Sequence, residues 1–124
     1  MKATPPEEAR LELIDYARKA VEVASEKQAT DILLLDIRKV STFADFFVIM
    51  TAESRRQMDV LSQDMEAALE GAGALLHHRE GSPTSGWLLL DFGDLIIHLF
   101  APEEREFYQL EELWSKGQQL VRIQ

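Results

Sequence analysis

The fold is decided by one stretch of the chain, Trp87-Leu-Leu-Leu-Asp-Phe-Gly-Asp-Leu-Ile-Ile-His-Leu-Phe100. Two alternating apolar runs flank Gly93 and Asp94, a pair suited to a tight turn between antiparallel strands. The stretch therefore predicts a β-hairpin. Its register places three apolar pairs opposite each other: Phe92 with Leu95, Leu90 with Ile97, and Leu88 with Leu99. Because this face has no polar side chain, we expect it to lie in the core.

The opposite face of the hairpin is chemically mixed. Side chains alternate along a strand, so this face carries Trp87, Leu89, Asp91, Ile96, His98 and Phe100. Asp91 and His98 are diagonal neighbours, within reach of each other. An aromatic residue, aliphatic residues, an acid and a histidine on one face are typical of protein-binding surfaces, in which aromatic anchors contribute most. The alternative is that a helix covers this face and makes it a second core layer.

Hydrophobic spacing predicts the elements on either side of the hairpin. Thr4 is the expected cap of the first helix, and Ser54 with Gln57 has the spacing of a capping box for the second, which Gly71 and Gly73 end. The predicted order is a helix over residues 5–25, a strand over 31–37, a loop over 38–45, a strand over 46–50, the second helix, a short strand over 75–79, a loop over 80–86, the hairpin, and a helix over 102–114. This order predicts a single domain of the α/β or α+β class, with a mixed β-sheet flanked by helices.

Composition sets the class of protein. The chain has 124 residues, of which 46% are hydrophobic and 28% charged, and this fits one globular domain. It has no cysteine, which excludes a disulfide framework and a thiol nucleophile. Its apolar runs are far shorter than the ~20 residues that a membrane-spanning helix needs. The first residues lack both an apolar signal core and an arginine-rich presequence, so we expect a cytoplasmic protein with no membrane partner.

The charge balance narrows the choice of partner. Thirteen Lys and Arg oppose 22 Asp and Glu, a net charge of −9. Nucleic-acid affinity rests on cations that neutralise phosphates, so direct nucleic-acid binding is not expected as the main source of affinity. An acidic surface instead favours fast and selective association with a basic protein.

Metal and kinase chemistry are weakly supported. Residues 91–94 have the letters of a kinase magnesium motif, but the glycine-rich loop and catalytic-loop aspartate of a kinase are missing. His77 and His78 are adjacent and point to opposite faces of an extended chain, so they cannot easily share one metal ion, and His98 is interpreted as an ordinary hydrogen-bonded residue of the sheet. We therefore expect no metal and no cofactor.

Other catalytic arrangements are also incomplete. Ser41, His98 and either Asp45 or Asp91 make a triad on paper, without a nucleophile elbow. Residues 51–56 open a helix after a strand, where many folds bind phosphate, but the required glycines are missing. We therefore predict that the protein has no catalytic residue and is not an enzyme. Two alternatives remain: a nucleotidyltransferase-like nucleotide-binding domain, and a module that self-associates through the mixed hairpin face that carries Trp87.

Several motifs together resemble the ribosomal silencing factor (Iojap/RsfS) family. They occur in a specific order between residues 11 and 115. They are Asp31-Ile-x-x-Leu35-Asp36-Ile37-Arg38, Ser41 to Asp45 before Phe46-Phe47-Val48-Ile49, Ser54-x-Arg56-Gln57, Glu80-Gly81, Trp87-x-x-Leu90-Asp91-Phe92-Gly93-Asp94, His98-Leu99-Phe100 and Arg105-x-x-Tyr108-x-Leu110-Glu111-x-Leu113-Trp114. The resemblance implies a domain over residues 11–115, an N-terminal extension over 1–10 that includes the helix start, and a C-terminal tail over 116–124.

The resemblance also implies a function. It implies a shape related to nucleotidyltransferases without their catalytic carboxylates, and binding to the large ribosomal subunit through ribosomal protein L-fourteen. Such binding sterically blocks joining of the small subunit and represses translation under nutrient limitation or in stationary phase. Members of the family tend to be homodimers when free.

The partner-binding positions that the resemblance implies are Trp87, Leu90, Asp91, Phe92, Gly93, Asp94 and His98, with Ser41, Ala44 and Asp45 nearby. Leu90 and Phe92 belong to the core face in the hairpin register. They therefore either lie at an uncovered sheet edge or do not contact the partner. Ala52 stands where relatives commonly have glycine, which weakens a phosphate-binding role for the loop before the second helix.

Overall fold

The computed structural model describes residues 12–124. Its elements follow each other in the order α1 (Leu13–Glu26), β1 (Thr30–Asp36), β2 (Phe46–Thr51), α2 (Arg55–Gly71), β3 (His78–Ser82), β4 (Trp87–Asp91), β5 (Leu95–Phe100), α3 (Pro102–Tyr108), α4 (Leu110–Leu113) and β6 (Gln118–Ile123). The strands form a six-stranded sheet in the order β3-β4-β5-β2-β1-β6. Only the β2–β5 pair is parallel. The predicted fold class, a single domain with a mixed sheet flanked by helices, is confirmed.

The hairpin has the predicted register. Leu88 pairs with Leu99 and Leu90 with Ile97. The Phe92 amide donates to the Leu95 carbonyl at 2.9 Å and closes the turn. Its apolar face packs under α1 and α2, as predicted for a core face.

The part of the first helix that the structure describes begins at Leu13. Its N-cap is Glu12, whose backbone is extended and whose amide donates to the Asp15 carboxylate at 3.0 Å. The predicted helix start and its cap at Thr4 lie outside the described residues. The predicted cap of α2 is confirmed, because the Ser54 hydroxyl accepts a hydrogen bond from the Gln57 amide at 3.0 Å.

Three predictions near the chain's second half are wrong. The predicted helix over residues 102–114 is two short helices, because Gln109 adopts a left-handed conformation (φ 44°) that ends α3. Residues 118–123, expected in a tail, form the edge strand β6 beside β1. The short strand expected over 75–79 is instead β3 at His78–Ser82, which shortens the following loop. Among residues 12–124 no helix is long and apolar enough to cross a membrane.

Candidate functional site

The sheet face opposite α1 and α2 is rich in aromatic side chains and only partly covered. We call it the aromatic face; it consists of Trp87, Leu89, Ile96, His98 and Phe100 of the hairpin, with Phe43, Phe47 and Trp114 beside them. Phe100 and Ile96 are buried, whereas Trp87, Leu89 and Trp114 are partly buried. The interpretation as a second core layer therefore holds for only part of this face.

A hydrogen bond joins the tryptophan and the histidine at the centre of the aromatic face. The Trp87 Nε1–H donates to His98 Nδ1 at 3.2 Å, so the ring proton of a neutral His98 lies on Nε2. His98 is 3% exposed. Its burial in an apolar environment lowers its pKa from 6.5 to about 3, so the imidazole is neutral near pH 7. Nε2 is buried and has no hydrogen-bond partner among the described residues.

Trp87 is the centre of an aromatic cluster that reaches the surface. Its ring stacks on Phe100 at 4.9 Å between centroids and contacts Tyr108 of α3 at 4.6 Å. Tyr108 in turn contacts Phe107, which is 79% exposed. A cavity of about 410 Å³ lies beside the cluster, lined by Glu80, Gly81, Ser85, Trp87, Leu89 and Tyr108. The face thus offers a tryptophan edge and a recess to a partner.

Phe43 and Trp114 cover the other side of the aromatic face. The Trp114 ring lies 5.3 Å from that of Phe47 and 5.5 Å from that of Phe43, both in edge-on geometry. Phe43 is nevertheless 55% exposed, and Leu113 in the adjoining α4 is 75% exposed. Neighbouring large apolar side chains at a protein surface are typical of a surface that binds a partner.

The hairpin turn lies beside the loop that precedes β2. Asp91 Oδ1 accepts from the Gly93 amide at 2.7 Å, and Gly93 has the positive φ (90°) that this turn requires. The Asp94 carbonyl accepts from the Asp45 amide at 2.7 Å. Three acidic side chains, Asp45, Asp91 and Asp94, therefore lie at one end of the sheet, and Asp94 is exposed.

The structure brings together some of the expected partner-binding residues and buries others. Leu90 has no exposed surface and Phe92 is nearly buried, both on the side covered by the helices. The core assignment of these two residues is correct, and partner contact by Leu90 would require the sheet to open. Ala44 is also buried. Asp91 and Gly93 remain partly exposed.

The arrangements considered for catalysis are not assembled. Ser41 Oγ accepts from the Phe43 amide, and His98 Nδ1 accepts from Trp87, so no hydrogen bond links the serine to the histidine. The expected approach of Asp91 to His98 gives no hydrogen bond either. Within residues 12–124, no group of three or more His, Asp or Glu side chains could hold a metal ion. At the start of α2, the backbone N–H of Glu53 donates to Gln57 Oε1, and the backbone N–H of Gln57 donates to Ser54 Oγ. These bonds are those expected of a capped helix.

Sequence reasoning gave no role to Arg105, a buried cation that fixes the C-terminal helices to the sheet. Its guanidinium donates to Thr51 Oγ1 at 2.9 Å and to Glu111 Oε1 at 3.1 Å, and lies 3.3 Å from the Asp31 carboxylate. Asp31 also pairs with Arg122 of β6 at 3.0 Å. These bonds hold α3, and with it Tyr108, against the aromatic face. No local pattern predicts them, because the partners are distant in sequence.

Comparison with known proteins gives consistent matches. A family model described as "Ribosomal silencing factor during starvation" matches residues 10–124. The ribosomal silencing factor RsfS of Zymomonas mobilis is 39% identical over 92 residues, 74% of this chain and 69% of that protein. The chloroplastic protein Iojap of Zea mays is 39% identical over 106 residues, 86% of this chain, and the chain spans 46% of the length of the maize protein. A mouse protein, mitochondrial assembly of ribosomal large subunit protein 1, is 32% identical over 98 residues, 77% of this chain and 43% of that protein.

A solved structure agrees with these matches. The crystal structure of a protein from Chromobacterium violaceum is similar with a TM-score of 0.81 and 28% sequence identity, and the match covers 90% of this chain and 92% of that one. The mixed sheet and its helices are thus shared with a protein of similar size. Since the family model extends over nearly all of the sequence, the chain belongs to the ribosomal silencing factor family, as its motifs predicted.

Proposed function

We propose that this domain binds the large ribosomal subunit through ribosomal protein L-fourteen and sterically prevents the small subunit from joining. The result would be repression of translation when nutrients are scarce or in stationary phase. The observation that carries the proposal is a partly buried tryptophan at the centre of an aromatic face, in a chain that belongs to the silencing factor family. The name of the mouse relative connects that protein with assembly of the ribosomal large subunit.

The proposed interface consists of the exposed part of the aromatic face and the acidic end of the hairpin. Aromatic side chains that lose water on binding supply most of the free energy of such an interface. Asp45, Asp91 and Asp94 add the negative potential that steers a basic ribosomal protein toward it. Of the expected residues, Trp87, Asp91, Gly93, Asp94, Ser41 and Asp45 have exposed surface and are retained as contacts. His98 acts indirectly, since it accepts the hydrogen bond that orients Trp87.

This function requires neither catalysis nor a bound cofactor. An interface of roughly 1,200 to 2,000 Å² suffices for stable binding, and blocking the joining of subunits follows from the volume that the domain occupies. We also propose that the protein is cytoplasmic and that its shape is related to that of nucleotidyltransferases, without their catalytic carboxylates. Calorimetric titration with ATP and magnesium tests the nucleotide-binding alternative. Saturable micromolar binding would support that alternative and contradict a purely steric function.

The test is co-sedimentation with isolated large subunits. Trp87→Ala and Asp91→Arg are expected to abolish binding, while circular dichroism shows an intact fold. Asp59→Arg is the matched control, because it makes the same charge change at an exposed position on α2. When small subunits are added, wild-type protein and the control should prevent formation of whole ribosomes, and the two interface variants should not. Unchanged co-sedimentation of Trp87→Ala would falsify the interface.

We also propose that the free protein forms a homodimer through the exposed apolar side chains around the aromatic face. Phe107 and Leu113 are the most exposed large apolar side chains in the described chain. Sedimentation velocity of wild type and Trp87→Ala tests this surface. A dimer that persists in both the Trp87→Ala and the Phe107→Ser variant would have its interface on another surface and would contradict this proposal.

A further inference from the structure

A cationic cavity lies at the end of the sheet where β1 ends and β6 begins. It has a volume of about 740 Å³ and is lined by Asp36, Arg38, Lys39, Lys116, Gly117 and Gln118. We call it the cationic cavity. None of its lining residues has an apolar side chain, in contrast to the recess beside Trp87.

Arg38 is held in place within the cationic cavity by two contacts. Its Nε and Nη2 groups both donate to the Asp36 carboxylate, with the Nη2 contact at 2.7 Å. The hydrogen bond from Arg38 holds the pKa of Asp36 below its usual value. The guanidinium also lies 5.2 Å from the centre of the Phe46 ring. The outer Nη1 group makes no hydrogen bond to a described residue, so an oriented donor faces solvent.

Gly117 brings the second lysine to the cavity. A Cβ atom at this position would lie 3.0 Å from the Asp36 carbonyl oxygen and 3.1 Å from Ile37 Cγ2. A residue without a side chain therefore lets the segment that carries Lys116 pass close to the end of β1. Lys116 and Lys39 form no ion pair with any described residue.

The charge of this cavity is opposite to that of the rest of the protein. Three cations and one carboxylate give it a net charge of +2. The remainder of the chain has ten Lys and Arg against twenty-one Asp and Glu, a net charge of −11. A polyanion is thus repelled by most of the surface and attracted at one place.

The cavity lies at the same end of the sheet as the acidic hairpin turn. Residues 38–45 connect the two, since Arg38 and Lys39 begin this segment and the Asp45 amide at its end is bonded to the Asp94 carbonyl. A large object that contacts the turn through a basic protein would therefore also approach the cavity.

We infer that the cationic cavity binds phosphate groups in the RNA backbone of the large ribosomal subunit, next to the protein contact made by the aromatic face. This inference rests on the proposed function. An acidic protein segment is the alternative occupant, which the measurement with isolated ribosomal protein L-fourteen tests. Phosphate contacts need only cations, and they position a protein without reading sequence. With three cations the contact orients the domain and adds modest affinity.

The test compares two doubly charge-reversed variants of the full chain. Lys39→Glu with Lys116→Glu removes two of the three cations of the cavity and leaves Arg38. Arg55→Glu with Arg56→Glu is the matched control, since it makes the same net change at exposed positions at the opposite end of the sheet. Affinity for large subunits is measured over a range of salt concentrations, and affinity for isolated ribosomal protein L-fourteen is measured in parallel. Circular dichroism verifies that both variants fold.

We expect the cavity variant to bind large subunits roughly tenfold more weakly than the control, and the slope of log K against log salt to fall by about 1.5, as for two lost phosphate contacts. Its affinity for isolated L-fourteen should equal that of the control. Equal binding of both variants to large subunits overturns the inference and leaves the proposed function intact. A loss of equal size with L-fourteen alone also overturns it, since the partner is then protein. If wild type fails to bind subunits, the proposed function fails and the inference fails with it.

Discussion

The two faces of the β4–β5 hairpin differ in what covers them. Leu88, Leu90 and Ile97 are completely buried beneath α1 and α2. On the other face, Trp87 and Leu89 lie one residue away along the same strand and are only partly buried. One strand therefore serves two purposes, because alternate side chains stabilise the fold and those between them remain available to a partner.

The difference also separates two kinds of mutational effect. A change on the helix-covered face should act on stability, and through stability on everything else. A change at the surface of the aromatic face should act on binding while leaving the fold intact. Three measurements test how sharp this separation is.

The largest effect is expected for neighbouring leucines in β4. Leu90→Ala should lower the free energy of unfolding by about 3 kcal/mol, because it removes buried methyl groups and leaves a cavity. Leu89→Ala should cost about 1 kcal/mol, because Leu89 is only partly buried. Urea denaturation measures both. Equal losses for the two variants would show that the faces do not differ in packing.

A second effect is a dependence of stability on pH that comes from His98. Its pKa is lowered from 6.5 to about 3 by burial, so between these values the unfolded chain binds more protons than the folded chain. The stabilisation is complete above pH 6.5 and falls by about 1.4 kcal/mol per pH unit below it, or about 2 kcal/mol at pH 5. Urea denaturation at pH 7.5, 6 and 5 should give a shallower pH dependence for His98→Phe than for wild type. The same dependence in wild type and His98→Phe would show that burial does not lower the pKa of His98.

The smallest effect is expected for Phe107→Ser at the rim of the aromatic face. Phe107 is 79% exposed, so the substitution should change the free energy of unfolding by less than about 0.5 kcal/mol. Sedimentation velocity should show weaker self-association. A loss of stability above about 1 kcal/mol would mean that this ring is part of the folded core.

The sequence predicted those elements whose signals are local. The turn at Gly93 and Asp94 and the alternation around it determined the hairpin register, and Ser54 determined the start of α2. The distinction between a core face and a mixed face followed from that register alone. The family was also recognisable, because its motifs have a specific order.

The remaining features depend on contacts between distant residues. At the break between α3 and α4, the Gln109 amide donates to the carbonyl of Arg105, whose side chain binds Asp31 and Thr51, far away in sequence. Strand β6 has largely exposed side chains and weak hydrophobic patterning, so only the free edge of β1 makes it a strand. The cationic cavity was also not predicted, since Lys39 and Lys116 are far apart in sequence and meet only because Gly117 allows the close approach.

The carboxylate of Asp31 has a consequence for how the molecule opens. It pairs with Arg105 in α3 and with Arg122 in β6, two segments that otherwise belong to different parts of the structure. Loss of this one side chain would remove an ion pair from each segment, while α3 keeps the bonds from Arg105 to Thr51 and Glu111 and β6 keeps its backbone pairing with β1. The same substitution would therefore weaken the attachment of both segments without detaching either. The helix that supports Tyr108 beside Trp87 is in this way linked to a strand on the far edge of the sheet.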